Sequence, residues 1–70
     1  MITEIGIIAG EILDFLDKYG PTDLEKLSKG IEKSKELVLM SLGWLAREGH
    51  VLVEHKDSNY KVSLREKEQE

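Results

Sequence analysis

At Gly49 the spacing of apolar residues changes from steps of three and four to strict alternation, so one short chain must join a helical part to a β part. Beyond that point Val51 and Val53 alternate with Leu52 and Glu54, and Tyr60, Val62 and Leu64 alternate with Lys61 and Ser63. Lys56-Asp57-Ser58-Asn59 separates the two runs, and its Asp and Asn suit turn conformations. Residues 51–64 therefore read as a two-stranded hairpin with Asn59 at its tip. A lone hairpin is marginal in water, so this one must lie against the helices that precede it.

Those helices have readable ends. Ile5, Ile8, Ile12, Phe15, Leu16 and Tyr19 fall on one stripe of a helix predicted over 3–19. Gly20-Pro21 stops it, because glycine tolerates the left-handed residue after a helix and proline cannot continue one. Thr22 with Glu25 three positions on reads as a capping box that opens a second helix. Leu24 and Leu27 point inward from it, and Gly30 ends it after about two turns. Ser34 caps a third helix predicted to run to about residue 48. Val38, Leu42 and Leu45 form its inner face, with Ser41 beside them. The whole reads as one domain over 1–64, with a charged tail at 65–70 that is expected to fray.

Composition narrows the chemistry. The chain has 70 residues and no cysteine, which excludes a disulfide framework, a thiolate zinc site and a cysteine nucleophile. A domain this small buries only about 60% of its unfolded surface, which argues against a deep catalytic cleft. His50 and His55 lie five apart and point to opposite faces of a strand, so they do not chelate one metal unaided. Asp14 and Asp17 read as a solvated acidic helix face. No glycine-rich phosphate loop follows a strand, and no Ser/His/Asp set has a plausible cleft. The expectation is a binding protein, not an enzyme, with no metal, cofactor or small-molecule ligand. No apolar run approaches the roughly 18 residues of a membrane span, and the N-terminus lacks a basic signal-peptide start. A cytoplasmic domain is expected.

Helix, short helix, tight turn, longer helix and hairpin is the order of a winged helix-turn-helix, an α+β fold of three helices followed by a two-stranded wing. In such a fold the second helix of the motif, here residues 34–48, is the one that enters a DNA major groove. Three stretches carry a closer resemblance. They are Gly10-Glu11-Ile12, Thr22-Asp23-Leu24-Glu25-Lys26-Leu27, and above all Leu42-Gly43-Trp44-Leu45-Ala46-Arg47-Glu48-Gly49-His50-Val51. Together they resemble a family of small stand-alone winged helix-turn-helix proteins from bacteria and archaea, over residues 5–64. The resemblance implies the fold, and implies DNA binding only by association with that architecture.

Charge by segment gives the candidate contacts. The formal net charge is −4, but residues 1–21 carry −3 of it, while residues 22–35 and 44–65 are each +1. Lys26, Lys29, Lys33 and Lys35 surround the turn that would approach phosphates, and neutralising phosphates supplies most non-specific affinity for duplex DNA. The expected phosphate contacts are Lys29, Lys33, Lys35, Arg47, Lys56 and Lys61. Ser34, Glu36 and Met40 would face the groove, and Asn59 the DNA at the wing.

The outward stripe of the third helix, Glu36, Met40, Gly43 and Arg47 with Leu39 and Trp44 on its flanks, is a poor base reader. Arg, Lys, Asn or Gln match base edges there, and only Arg47 qualifies. It suits protein contact better, since a glycine inside a helix costs roughly 1 kcal/mol against alanine and Met and Trp are interface side chains. Leu39, Met40, Gly43 and Trp44 are therefore one candidate protein interface. Ile7 and Gly10 on the first helix, with Gly6, are another. A homodimer is the expected assembly, with duplex DNA as the expected partner; the alternative is a winged helix used for protein contact or dimerisation without DNA binding.

Overall fold

The computed structural model describes residues 2–65. Its elements follow in the order α1 (Ile2–Tyr19), β1 (Thr22–Asp23), α2 (Leu24–Ile31), α3 (Lys35–Arg47), β2 (Val51–Lys56) and β3 (Asn59–Leu64). From residue 66 onward, the expectation of a frayed tail lies outside the described residues. Three helices pack on the inner face of a small antiparallel sheet. α1 contributes Ile8, Ala9, Ile12 and Leu16 to the core, α2 Leu24 and Leu27, and α3 Val38, Leu42 and Leu45. Val51 and Val62 close it from the sheet. Burying one such aliphatic side chain is worth about 1.5–3 kcal/mol, so this cluster is what holds the wing to the helices.

Two buried hydroxyls tune the helix contacts. Ser28 Oγ donates to Leu24 O at 2.8 Å. Ser41 Oγ donates to Leu37 O at 2.9 Å and also approaches Ile5 O at 3.5 Å, which links α3 to α1. Ser34 caps α3 as expected, accepting from Leu37 N–H at 3.2 Å. Gly49, at φ 82°, donates to Ala46 O and lets the chain turn from α3 into β2. At the base of the wing, Arg65 N–H donates to His50 O at 3.0 Å.

Several local expectations give way to longer-range contacts. Thr22 does not cap α2. It is extended and pairs with Val62, while Asp23 pairs with Lys61, so the hairpin gains a third short strand and the sheet order is β1-β3-β2. Asp23 takes over the cap and accepts from Lys26 N–H at 2.8 Å. Gly30 does not end α2 either; the chain leaves the helix at Glu32, which adopts φ 59° and donates back to Lys29 O. What needs a glycine at position 30 is α1, because a Cβ there would lie 2.4 Å from Cε2 of Phe15. Tyr19 is not in the core. α1 ends at this residue, and its ring stays 66% exposed, resting on Phe15 at a centroid distance of 4.7 Å.

The wing turns through two residues, since Lys56 pairs with Asn59. Asp57 and Ser58 have φ 50° and 65°, and positive φ at both central positions is the pattern of a type I′ turn that matches strand twist. The tip is thus Asp57-Ser58, and Asn59 is the first residue of β3, with its Oδ1 accepting from Tyr60 N–H at 2.8 Å.

Candidate nucleic-acid interface

The turn between α2 and α3 gathers the lysines, and the structure divides them. Lys29 is exposed near the end of α2. Lys33 reaches back across the turn to α1, with its Nζ 3.4 Å from Glu11 Oε1. That oxygen is shut off from solvent and has no aligned hydrogen bond, so the pairing is electrostatic and not directional. Lys35, the first residue of α3, lies 3.8 Å from Glu25 of α2 with both side chains more than half exposed. Exposed pairs of this kind are worth about 0–1 kcal/mol, so Lys35 is readily released to a stronger anion. Lys33 is the more committed of the two. Ser34 Oγ accepts the α3 cap bond and keeps its O–H available as a donor.

Along α3 the outward residues stand as the periodicity places them. Glu36, Leu39, Met40, Gly43, Trp44 and Arg47 are all exposed, and Trp44 keeps 50% of its surface. Nothing lies within 4 Å of where a Cβ of Gly43 would sit. The same is true of Gly6 and Gly10 on α1, next to an Ile7 that is 59% exposed. Neither glycine makes room for the hairpin.

On the wing, Lys56 is exposed beside the turn, and Lys61 is exposed on the middle strand of the sheet. β3 sets it in register between Asp23 of β1 and Glu54 of β2, so its charge is flanked by two carboxylates on the outer face of the sheet. These three residues, with Pro21, Thr22, Lys26, Leu52, Val62 and Ser63, line a shallow open groove of about 400 Å³. His55 stacks on its cross-strand partner Tyr60, with ring centroids 4.6 Å apart. Sequence reasoning missed the Glu11–Lys33 pair, the groove and the acidic flanks of Lys61. All three join segments far apart in the chain and leave no local pattern. Among the described residues no three His, Cys, Asp or Glu side chains form a metal-ligating group, and no helix is long and apolar enough to cross a membrane.

Comparison with known proteins agrees with this geometry. Residues 1–64 match the family described as Winged helix-turn-helix domain (DUF2582). No curated protein matches. Among solved structures, the solution NMR structure of protein BT2368 from Bacteroides thetaiotaomicron is similar, at 26% identity and a TM-score of 0.77 over 89% of this chain and 76% of that one. The crystal structure of the Zalpha domain of PKZ from Carassius auratus in complex with Z-DNA superposes with a TM-score of 0.76. It is 23% identical, over 86% of this chain and 95% of that one. The second likeness is one of fold.

Proposed function

The chain belongs to the winged helix-turn-helix family DUF2582, and on that premise we propose that it binds duplex DNA through phosphate contacts, as a non-specific binder or weak transcriptional regulator. The reading has it act in the cytoplasm, form a homodimer and catalyse nothing. The observation that carries it is the lysine-bearing turn at the start of α3, where Lys29 and Lys35 stand exposed beside the helix that this fold presents to a groove. Lys56 at the wing and Arg47 at the far end of α3 extend the contact, with Lys33 joining when it leaves Glu11. The outward residues of α3 supply almost no base-edge donors or acceptors, so affinity comes from the backbone of DNA and sequence preference is slight.

The test is fluorescence anisotropy of a labelled mixed-sequence duplex, titrated at about 50 mM and about 200 mM salt. With about four phosphate contacts the slope of log affinity against log salt is near −3.6, so the fourfold rise weakens binding about 150-fold. Absence of binding at the lower salt overturns the reading.

A further inference from the structure

The outward face of α3 has an arrangement that no duplex requires. Its central stripe reads Glu36, Met40, Gly43, Arg47. An acid stands at one end and a base at the other, about 16 Å apart along the helix axis. Between them a large side chain, Met40 at 44% exposure, is followed one turn on by a residue with no side chain and open space above it. Neither Glu36 nor Arg47 enters an ion pair among the described residues.

The stripe is complementary to itself when reversed. We propose that a second copy of this chain occupies it, α3 packing antiparallel on α3 about a twofold axis level with the Ser41–Leu42 peptide. Twofold symmetry then sets Glu36 of each copy against Arg47 of the other, and Met40 of each copy into the space over Gly43 of the other. Residue i meeting j while j meets i is what an isologous dimer demands. Glycine at the crossing lets the helix axes approach to the short end of the usual 8–10 Å, roughly, that helix pairs show. Leu39 and Trp44 flank the seam on its two sides and lose their remaining exposure. The lysine-bearing turn lies outside the paired face. The proposal deepens the homodimer part of the reading above. Because the paired face includes Arg47 and lies on the helix that would face a groove, dimer and duplex compete for it, and the dimer is tested without DNA.

The face is small. A standard stable interface takes about 20–30 residues a side, and this one offers far fewer, so the dimer is weak and concentration-dependent.

Sedimentation equilibrium of the full chain without DNA tests it, read beside the emission of Trp44, the only tryptophan. The wild type is expected to associate, with Trp44 emission moving to the blue over the same concentration range. Glu36→Arg and Arg47→Glu, each in turn, set like charges together twice per dimer and should weaken association about tenfold. The double variant restores opposite charges and should recover the wild-type constant within about threefold. Both positions are exposed, and a circular-dichroism melt confirms that each variant folds. A wild type that stays monomeric at its highest soluble concentration overturns the proposal. Association unchanged by the single reversals also overturns it and moves the contact to another surface, such as Ile7 and Gly10 on α1. Single reversals that weaken the dimer while the double fails to rescue it overturn the antiparallel register.

Discussion

The turn that opens α3 and the outward face of α3 adjoin in sequence and differ in chemistry. The turn carries Lys29, Lys33 and Lys35 within a few residues, two of them leaning on carboxylates of neighbouring helices. The face beyond it carries Leu39, Met40, Gly43 and Trp44, with one acid and one base at its ends. A groove reader needs both regions polar, the first for phosphates and the second for base edges. Here only the first meets that need. The difference teaches that one helix of this fold can open on a cluster of lysines and continue as a largely apolar exposed face.

The largest effect expected from this contrast is on the charged side. Lys29→Glu with Lys35→Glu removes two cations and adds two anions at the turn, and should weaken duplex binding by about 100-fold or more at low salt. Lys33 is left in place because it faces Glu11, where a second carboxylate would disturb α1 as well as DNA. Affinity within threefold of wild type, measured by anisotropy with an unchanged melting curve, would place the phosphate contacts elsewhere.

Two glycines sharpen the comparison by opposite responses. Gly30 is filled from within the molecule, and Gly30→Val must push Phe15 out of its seat. Overpacking of this kind costs about 1–3 kcal/mol, seen as a lower midpoint in urea or heat. Gly43 has open space above it, so Gly43→Ala should stabilise the monomer by about 1 kcal/mol through helix propensity alone. In a domain of this size that raises Tm by about 4–8 °C, measured at a dilution where the chain is monomeric. A destabilising Gly43→Ala would show that the monomer itself uses the empty space.

The same contrast between local and distant causes explains what the sequence reveals. The change of period at Gly49, the Ser34 cap and the inner face Val38, Leu42, Leu45 are each written within a few residues, and each stands in the structure. Thr22 and Asp23 become a strand only because β3 returns to pair with them from the far end of the chain. A Thr-x-x-Glu pattern is read locally as a cap, and the ladder overrides it. Gly30 is read as a stop for α2, although its role is to admit a ring from α1. The site divides in the same way. The lysine cluster is legible as composition, but which lysine is held and which is loose depends on Glu11 and Glu25, and the acidic cross-strand neighbours of Lys61 come from two other strands.

Arg47 gives the smallest and most discriminating effect. It is the one side chain on the outward stripe with the donors to bind a guanine edge, and it stands in the last turn of α3. A helix in a groove reads bases mainly from its N-terminal residues, so this position reaches a phosphate at most. Arg47→Ala should therefore lower affinity by about threefold at about 200 mM salt and about tenfold at about 50 mM, equally for every duplex, and reduce the salt slope by about one. A bidentate contact to guanine is worth about 1–3 kcal/mol of discrimination, so its loss would instead fall on some sequences and spare others. Titrating Arg47→Ala against a small panel of duplexes, below the concentration at which α3 pairs with α3, separates the two cases. A uniform small loss keeps α3 as an apolar face bordered by charge. A sequence-dependent loss would make Arg47 a reader and return part of that face to DNA.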